Sequence, residues 1–213
     1  MNVEKAFVGA RLVDSEPFSR AGTAAQAKRL AETGIDGLIG YLGTINVARL
    51  RHLFDAGLAF MPVTYAGEYF DGPADELQHL KTLGIPAGAT VWLDLEGKKS
   101  YNWPPHDLIA KIDTWAKALQ SAGFIAGLYI GSPQPLTGDE LARLAVTRYW
   151  CAPSRVLDRN GKSWDEPPGL GFCLRQMWPQ RNWPNDTDPN RVWVDCNMVG
   201  EDRRGRLPTW VRG

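Results

Sequence analysis

The segment Thr90-Val91-Trp92-Leu93-Asp94-Leu95-Glu96-Gly97 joins an apolar run to two acidic residues. Because side chains alternate between the two faces of a β-strand, the three aliphatic side chains share one face, and Trp92, Asp94 and Glu96 share the other. A rise of ~6.6 Å over two residues separates the two acidic positions. Like charges this close favour a protonated form of one of them. The segment therefore predicts a strand that is buried on both faces and ends in an acidic pair.

Strand-like and helix-like patterns alternate on both sides of this segment. The apolar runs predict strands over residues 6–13, 35–42, 58–65, 90–95, 124–130, 148–152, 172–178 and 192–199. Helical spacing, N-cap residues and terminal glycines predict helices over residues 24–33, 46–57, 75–83, 104–123 and 138–145. Pro, Asn, Gly and Asp are frequent between the last strands, which indicates that the late helices are reduced or missing.

This alternation predicts an α/β fold with a parallel sheet covered on both faces. A compact (β/α)₈ barrel, similar to a TIM barrel, fits eight strands in a single domain over residues 1–213, since ~200 residues is the lower end for that fold. An open doubly wound sheet is the alternative. The chain has neither GxGxxG after its first strand nor GxxxxGK[ST], the main nucleotide-binding motifs that would favour that alternative.

The composition narrows the classes of partner. The 24 Lys and Arg residues balance 24 Asp and Glu residues, which argues against a nucleic-acid-binding protein. No apolar run approaches the ~20 residues that span a bilayer, and the first residues do not resemble a signal peptide. We therefore expect a monomer without membrane insertion, made in the cytoplasm and released by lysis or a non-classical route.

The cysteines and histidines favour neither a metal site nor a cofactor. Three cysteines are an odd number, and none forms a CxxC motif, so we expect buried thiols rather than disulfides or a zinc site. His52, His79 and His106 fall on predicted helices or at a loop start, away from strand ends. No cofactor is therefore expected.

Barrel chemistry collects at the carboxyl ends of the strands. Besides Asp94 and Glu96, strand eight places Asp195 and Asn197 on one face. The other residues expected near this end are mostly aromatic: Tyr65, Glu68, Trp92, Tyr129, Trp150, Gln176 and Trp178. Aromatic rings stack on the faces of sugars while carboxylates and amides bind hydroxyls, so the set predicts a sugar site. Trp92 and Trp193 have an alternative role as core residues.

Four segments in this order resemble the lysozyme-like barrels of glycoside hydrolase family 25: 92–96, 149–152, 174–178 and 194–197. The glycoside hydrolase-like DUF1906 branch is similar in three further segments. These are the stretch from Gly34 to Gly43, the segment Gly84-Ile85-Pro86-Ala87-Gly88 before strand four, and the Asp-Leu-Glu ending of that strand. The resemblance spans nearly the whole chain.

The resemblance implies a role for several residues. Glu96 would donate a proton to the glycosidic oxygen, Asp94 would orient or charge the site, and Asp195 matches the family's strand-eight aspartate. Tyr129, Trp150 and Gln176 would line the sugar site. The implied activity is glycoside hydrolysis, and the implied substrate is the peptidoglycan glycan strand, with another polysaccharide or glycoconjugate as the alternative.

One position departs from the family pattern. Members commonly have an inward aspartate in strand one, where this chain reads Gly9-Ala10-Arg11, and Asp14 follows three residues later. Arg11 in the site would contact substrate and oppose a protonated acid. This keeps a second hypothesis open, a non-catalytic glycan-binding or structural barrel.

Overall fold

The structure is a computed structural model that describes residues 1–65, 72–95, 103–131, 135–152, 156–157, 163–164, 167 and 169–213, with backbone alone for 156–157, 163–164 and 178–180. The strands are β1 Asn2–Lys5, β2 Arg11–Asp14, β3 Gly37–Tyr41, β4 Ala59–Tyr65, β5 Thr90–Leu95, β6 Ile125–Ile130, β7 Arg148–Cys151, β8 Val156–Leu157, β9 Ser163–Trp164, β10 Leu174–Trp183, β11 Val192–Val199 and β12 Thr209–Arg212. The helices are α1 Glu16–Ala21, α2 Ala24–Glu32, α3 Val47–Asp55, α4 Pro73–Leu83, α5 Pro105–Ser121 and α6 Gly138–Arg143.

Eight strands close into a barrel in the order β2-β3-β4-β5-β6-β7-β10-β11 and back to β2. This confirms the predicted barrel. Neighbours from β2 to β10 are parallel, but β11 is antiparallel to both β10 and β2, which corrects the expectation of eight parallel strands. β10 and β11 therefore form a long hairpin.

The two faces of the barrel strands bury different side chains. Val91, Leu93 and Leu95 pack in the layer between the barrel and the helices, while Trp92 packs inside the barrel. This is the alternation that the sequence predicts. The Trp92 ring fits because β6 carries Gly127, where a Cβ atom would lie 2.5 Å from Cε3 of Trp92.

We call the end of the barrel that holds Asp14 and Asp94 the mouth, and the opposite end, with Arg11 and Thr90, the floor. The antiparallel ribbon of β1 and β12 lies at the floor, where Val211 pairs with Phe60 near the start of β4. The Thr209 hydroxyl donates to the carbonyl of Gly88 at 2.6 Å, just before β5. The ribbon therefore closes the floor.

The predicted first strand, residues 6–13, is wrong in its first half. The Ala10 amide donates to the Phe7 carbonyl in a turn, and Gly9 has φ +86°, a conformation that favours glycine. The barrel strand begins only at Arg11 and continues to Asp14. Apolar residues in this turn produced a strand-like pattern.

Among the described residues, no helix is long and apolar enough to cross a membrane. The three cysteines are buried thiols, as expected.

Candidate active site

A cavity of about 90 Å³ opens at the mouth of the barrel. We call it the central cavity. Its lining combines acidic, aromatic and amide side chains: Asp14, Glu16, Asp94, Asp195, Tyr41, Tyr65, Tyr129, Trp150, Trp193 and Gln176. These residues come from distant parts of the sequence and meet because the parallel strands end, and the antiparallel β11 begins, at the mouth.

Asp94 lies at the centre of this acidic set. It is the fifth residue of β5, with Tyr65 of β4 and Tyr129 of β6 as its register partners on either side. Its side chain is 3% exposed. Leu93 and Leu95 point into the outer apolar layer, so the strand alternation fixes Asp94 toward the cavity.

Asp14 and Asp195 are register partners on the adjacent strands β2 and β11. The Nδ2 atom of Asn197 donates to Oδ2 of Asp14 at 2.8 Å, and Nε1 of Trp150 donates to Oδ1 of Asn197 at 2.9 Å. This chain fixes the orientation of the Asn197 amide and, through it, the Asp14 carboxylate.

The start of α1 holds the end of β2 in place. Ser15 is the N-cap of α1, and its hydroxyl accepts from the Phe18 amide at 3.1 Å. The same hydroxyl donates to the Trp193 carbonyl at 2.7 Å. One buried serine thus ties β2, α1 and β11 together beside Asp14.

Arg11 does not lie in the site, which corrects its assignment as a substrate-binding residue. It is exposed at the floor end of β2, where its amide donates to Oδ2 of Asp36 at 2.7 Å. The physical reason is strand alternation. Leu12 packs inside the barrel, so Asp14 also faces inward, whereas Arg11 shares the outward face with Val13.

Tyrosines form one wall of the central cavity. The rings of Tyr41 and Tyr65 stack with centroids 4.6 Å apart. Burial, together with the charges of Asp94 and Asp14, raises the pKa of Tyr41 far above its usual range. Tyr41 therefore stays a neutral phenol. Opposite, the Tyr129 hydroxyl donates to Oε1 of Gln176 at 2.8 Å.

The lining favours ligands that carry no negative charge. Four of its described residues are acidic, and none of its described residues is Lys or Arg. One of the four, Glu16, pairs with Arg20 of the same helix. Within the part of the chain that the structure describes, no three His, Cys, Asp or Glu side chains are grouped to hold a metal ion.

Several residues predicted from the sequence meet in the cavity, with Asn197 bonded directly beneath it: Asp94, Asp195, Tyr65, Tyr129, Trp150 and Gln176. Trp92 does not line it. Its ring is fully buried below, and its Nε1 donates to Sδ of Met61 at 3.4 Å, which corrects its assignment as a sugar-binding residue. Glu96 and Glu68 lie outside the described residues, as does the side chain of Trp178.

Tyr41 and Glu16 were not predicted as lining residues, Asp14 was considered only as a substitute for the family's strand-one aspartate, and a core role was left open for Trp193. Trp193 is instead 43% exposed. The alternation Leu12, Asp14 was the available signal, because an aspartate in phase with an inward leucine at a strand end faces the mouth.

No protein-family model and no curated protein matches the chain. Solved structures do. An uncharacterized B. stearothermophilus protein superposes with a TM-score of 0.60 at 16% identity, over 90% of this chain and 96% of that chain. The Mycobacterium tuberculosis Tat-secreted protein Rv2525c, in complex with L-tartrate, gives 0.55 at 15% identity, over 92% of this chain and 97% of that chain.

A lysozyme is also among these similar structures. The bacterial lysozyme from Streptomyces coelicolor superposes with a TM-score of 0.56 at 10% identity, over 92% of this chain and 94% of that chain. At such identities the likeness concerns the fold. The chain therefore shares its barrel fold with this lysozyme and with Rv2525c.

Proposed function

We propose that this protein is a glycoside hydrolase that acts on peptidoglycan or a related polysaccharide. The observation that carries the proposal is the convergence of Asp14, Asp94 and Asp195 with tyrosines and a tryptophan in one cavity at the barrel mouth. Barrel enzymes place their chemistry at this end. The lysozyme among the structures with this fold supports a glycan as substrate.

The proposed chemistry uses carboxyl groups alone. Glu96 follows Asp94 by two residues in the sequence and acts as the general acid that protonates the leaving glycosidic oxygen. Asp94 and Asp195 stabilise the positive charge that develops on the sugar and activate the attacking group. The separation between the acid and its partner carboxylate decides between retention and inversion, at roughly 5–5.5 Å and 6.5–9.5 Å respectively.

Asp14 supplies the inward aspartate of the first barrel strand. The sequence offered Arg11 at this place, which was the reason to consider a barrel that binds glycans without cleaving them. Because Arg11 lies at the floor, that reason no longer applies. A non-catalytic glycan-binding barrel remains the competing hypothesis that the experiment must distinguish.

The first experiment measures new reducing ends released from purified peptidoglycan and a panel of soluble glycans. We expect release by the wild type and a loss of roughly 10²–10⁴-fold in Glu96→Gln, the range for removal of a general acid. Asp36→Asn is the matched control, since Asp36 is a carboxylate near the floor and its amide replacement still accepts from the Arg11 amide.

Two results would contradict the proposal. Equal activity of Glu96→Gln and the wild type would remove Glu96 from the mechanism. If the wild type releases nothing from any glycan and both proteins still bind sugar, the protein is a binding barrel.

A further inference from the structure

Alternate side chains of β11 face the inside of the barrel, and Trp193 is the member of this row that lies farthest toward the mouth. In this row, Asn197 contacts Asp14, and Asp195 and Trp193 line the central cavity. Alternation places all three on one face of the strand. Trp193 is 43% exposed, which is unusual for a side chain that ends such a row.

A second cavity of about 430 Å³ is also lined by Trp193. We call it the side cavity. It shares Pro17 and Trp193 with the central cavity, and Gln26, Asn182 and Arg191 add polar groups to its lining. The two cavities are therefore adjacent, and Trp193 belongs to the lining of both.

The volumes of the two cavities indicate which surface holds most of a ligand. Sites for small ligands have volumes of roughly 300–1,000 Å³. The central cavity, at about 90 Å³, holds only part of such a ligand, whereas the side cavity at about 430 Å³ is within the range. A ligand that reacts in the central cavity must be held largely by neighbouring surfaces.

The backbone around Trp193 is held rigidly. Its carbonyl accepts from Ser15 at 2.7 Å, its register partner on β10 is Asn182, and its neighbours Val192 and Val194 are buried. A backbone held in this way loses little freedom on binding. Gln26 is also anchored, because its Nε2 donates to the Arg191 carbonyl at 3.0 Å.

We propose that Trp193 is a stacking platform for a second sugar of a glycan chain, and that the side cavity binds this sugar while its neighbour occupies the central cavity. The proposal rests on the proposed function and specifies its substrate as an oligomer rather than a single sugar. A flat apolar ring bordered by amide and guanidinium groups suits the CH-rich face and the hydroxyls of a pyranose.

The test measures how affinity depends on oligomer length. The probes are N-acetylglucosamine, chitooligosaccharides of two to six residues and peptide-free peptidoglycan oligosaccharides of the same lengths, titrated by calorimetry. Because cleavage would shorten the probes, every protein carries Glu96→Gln. Trp193→Ala is compared with Trp193→Phe, which keeps a ring, and with Phe7→Ala. Phe7 is the matched control, an aromatic side chain that is 50% exposed and packs against Trp210.

We expect Trp193→Ala to weaken binding of the oligomers by about tenfold, the loss of one aromatic stacking contact. Binding of the single sugar should change less, Trp193→Phe should recover part of the loss, and Phe7→Ala should match the parent protein.

Other outcomes overturn the inference in distinguishable ways. If the parent binds oligomers and Trp193→Ala has no effect, or weakens the single sugar as much as the oligomers, the platform is wrong while the proposed function stands. If the parent binds no oligomer of either series, the proposed substrate class fails, and the platform fails with it.

Discussion

Glu76 is a carboxyl group that the fold buries outside the central cavity. It lies on α4, accepts a hydrogen bond from Nε1 of Trp115, and borders a cavity of about 410 Å³ that also touches Tyr41 and Tyr65. Burial raises the pKa of Glu76 to about 7, against the lowering effect of hydrogen bonds from Trp115 and Thr64.

This shift makes stability depend on pH. The folded pKa lies above the ordinary value of 4.5, so the contribution of Glu76 is complete below pH 4.5 and is lost as the pH rises to about 7. The free energy of unfolding of Glu76→Gln, measured relative to that of the wild type, should therefore be roughly 3 kcal/mol higher at pH 8 than at pH 4. Urea unfolding at several pH values measures this difference. A difference that stays constant with pH would contradict it.

Gly127 makes room for the largest ring inside the barrel. A methyl group at this position would meet the Trp92 indole at 2.5 Å. We expect Gly127→Ala to lower the free energy of unfolding by about 1–3 kcal/mol, the usual cost of overpacking a core. Gly200→Ala is the control, because nothing lies within 4 Å of a Cβ atom there. Equal effects of the two substitutions in urea unfolding would show that Trp92 is free to move.

At the scale of elements, β5 and β2 show what a sequence pattern can and cannot provide. β5 matches its predicted bounds because its outward face is wholly apolar and its neighbours on both sides are strands. β2 has only four residues and follows an apolar turn, so its start could not be read from hydrophobicity. The predicted strand ended at Val13, and the family pattern assigned Arg11 rather than Asp14 to the site.

β10 illustrates a second limit. The prediction ended this strand at Trp178, but it continues to Trp183 through Pro179. Register shifts between Gln176 and Trp178, and between Trp178 and Arg181, interrupt the pairing with β11 around the proline. Irregular pairing of this kind accommodates a proline that regular pairing would exclude.

Hydrogen bonds from Thr209 attach β12 to the start of β5, and a substitution at this residue tests what they contribute to stability. Thr209 donates through its hydroxyl to the Gly88 carbonyl, and its amide donates to the Thr90 hydroxyl at 2.8 Å. We expect Thr209→Val to cost roughly 1–2 kcal/mol, because the Gly88 carbonyl loses its donor. Amide exchange should accelerate in β1 and β12 before the barrel strands.

Thr114→Val is the control for this substitution, since the Thr114 hydroxyl also donates to a carbonyl but lies exposed on α5. Uniform acceleration across the barrel would indicate that the floor ribbon does not open separately.

In the molecule as a whole, the proposed catalytic residues lie at the mouth of the barrel, and residues that only stabilise the fold lie at the floor. Arg11 and Asp14 lie on the same short strand, one at the floor and one at the mouth. We expect Asp14→Asn to lower glycan hydrolysis by roughly tenfold or more, since it removes a charge from the cavity. Arg11→Ala should leave the rate within about twofold. Initial rates of reducing-end release measure both, and a large loss in Arg11→Ala would contradict this division.

The barrel could be predicted from the alternation of elements, but the direction of its last strand could not. Side-chain patterns are the same for parallel and antiparallel strands. The extension of β10 leaves only residues 184–191 before β11, too few for the dozen or more that a parallel crossover needs. Once β10 is known to be long, the hairpin follows. Trp193 then lies at the mouth rather than in the core.

The direction of β11 also decides where the chain ends. Because β11 runs from the mouth toward the floor, the chain emerges below and finishes in β12, which pairs Arg212 with Asn2. Asn2 and Arg212 therefore both lie on the face opposite the central cavity. A protein immobilised through this face, on a bead or a sensor chip, would present its mouth outward. Even an insoluble polymer could then reach the aspartates without passing the point of attachment.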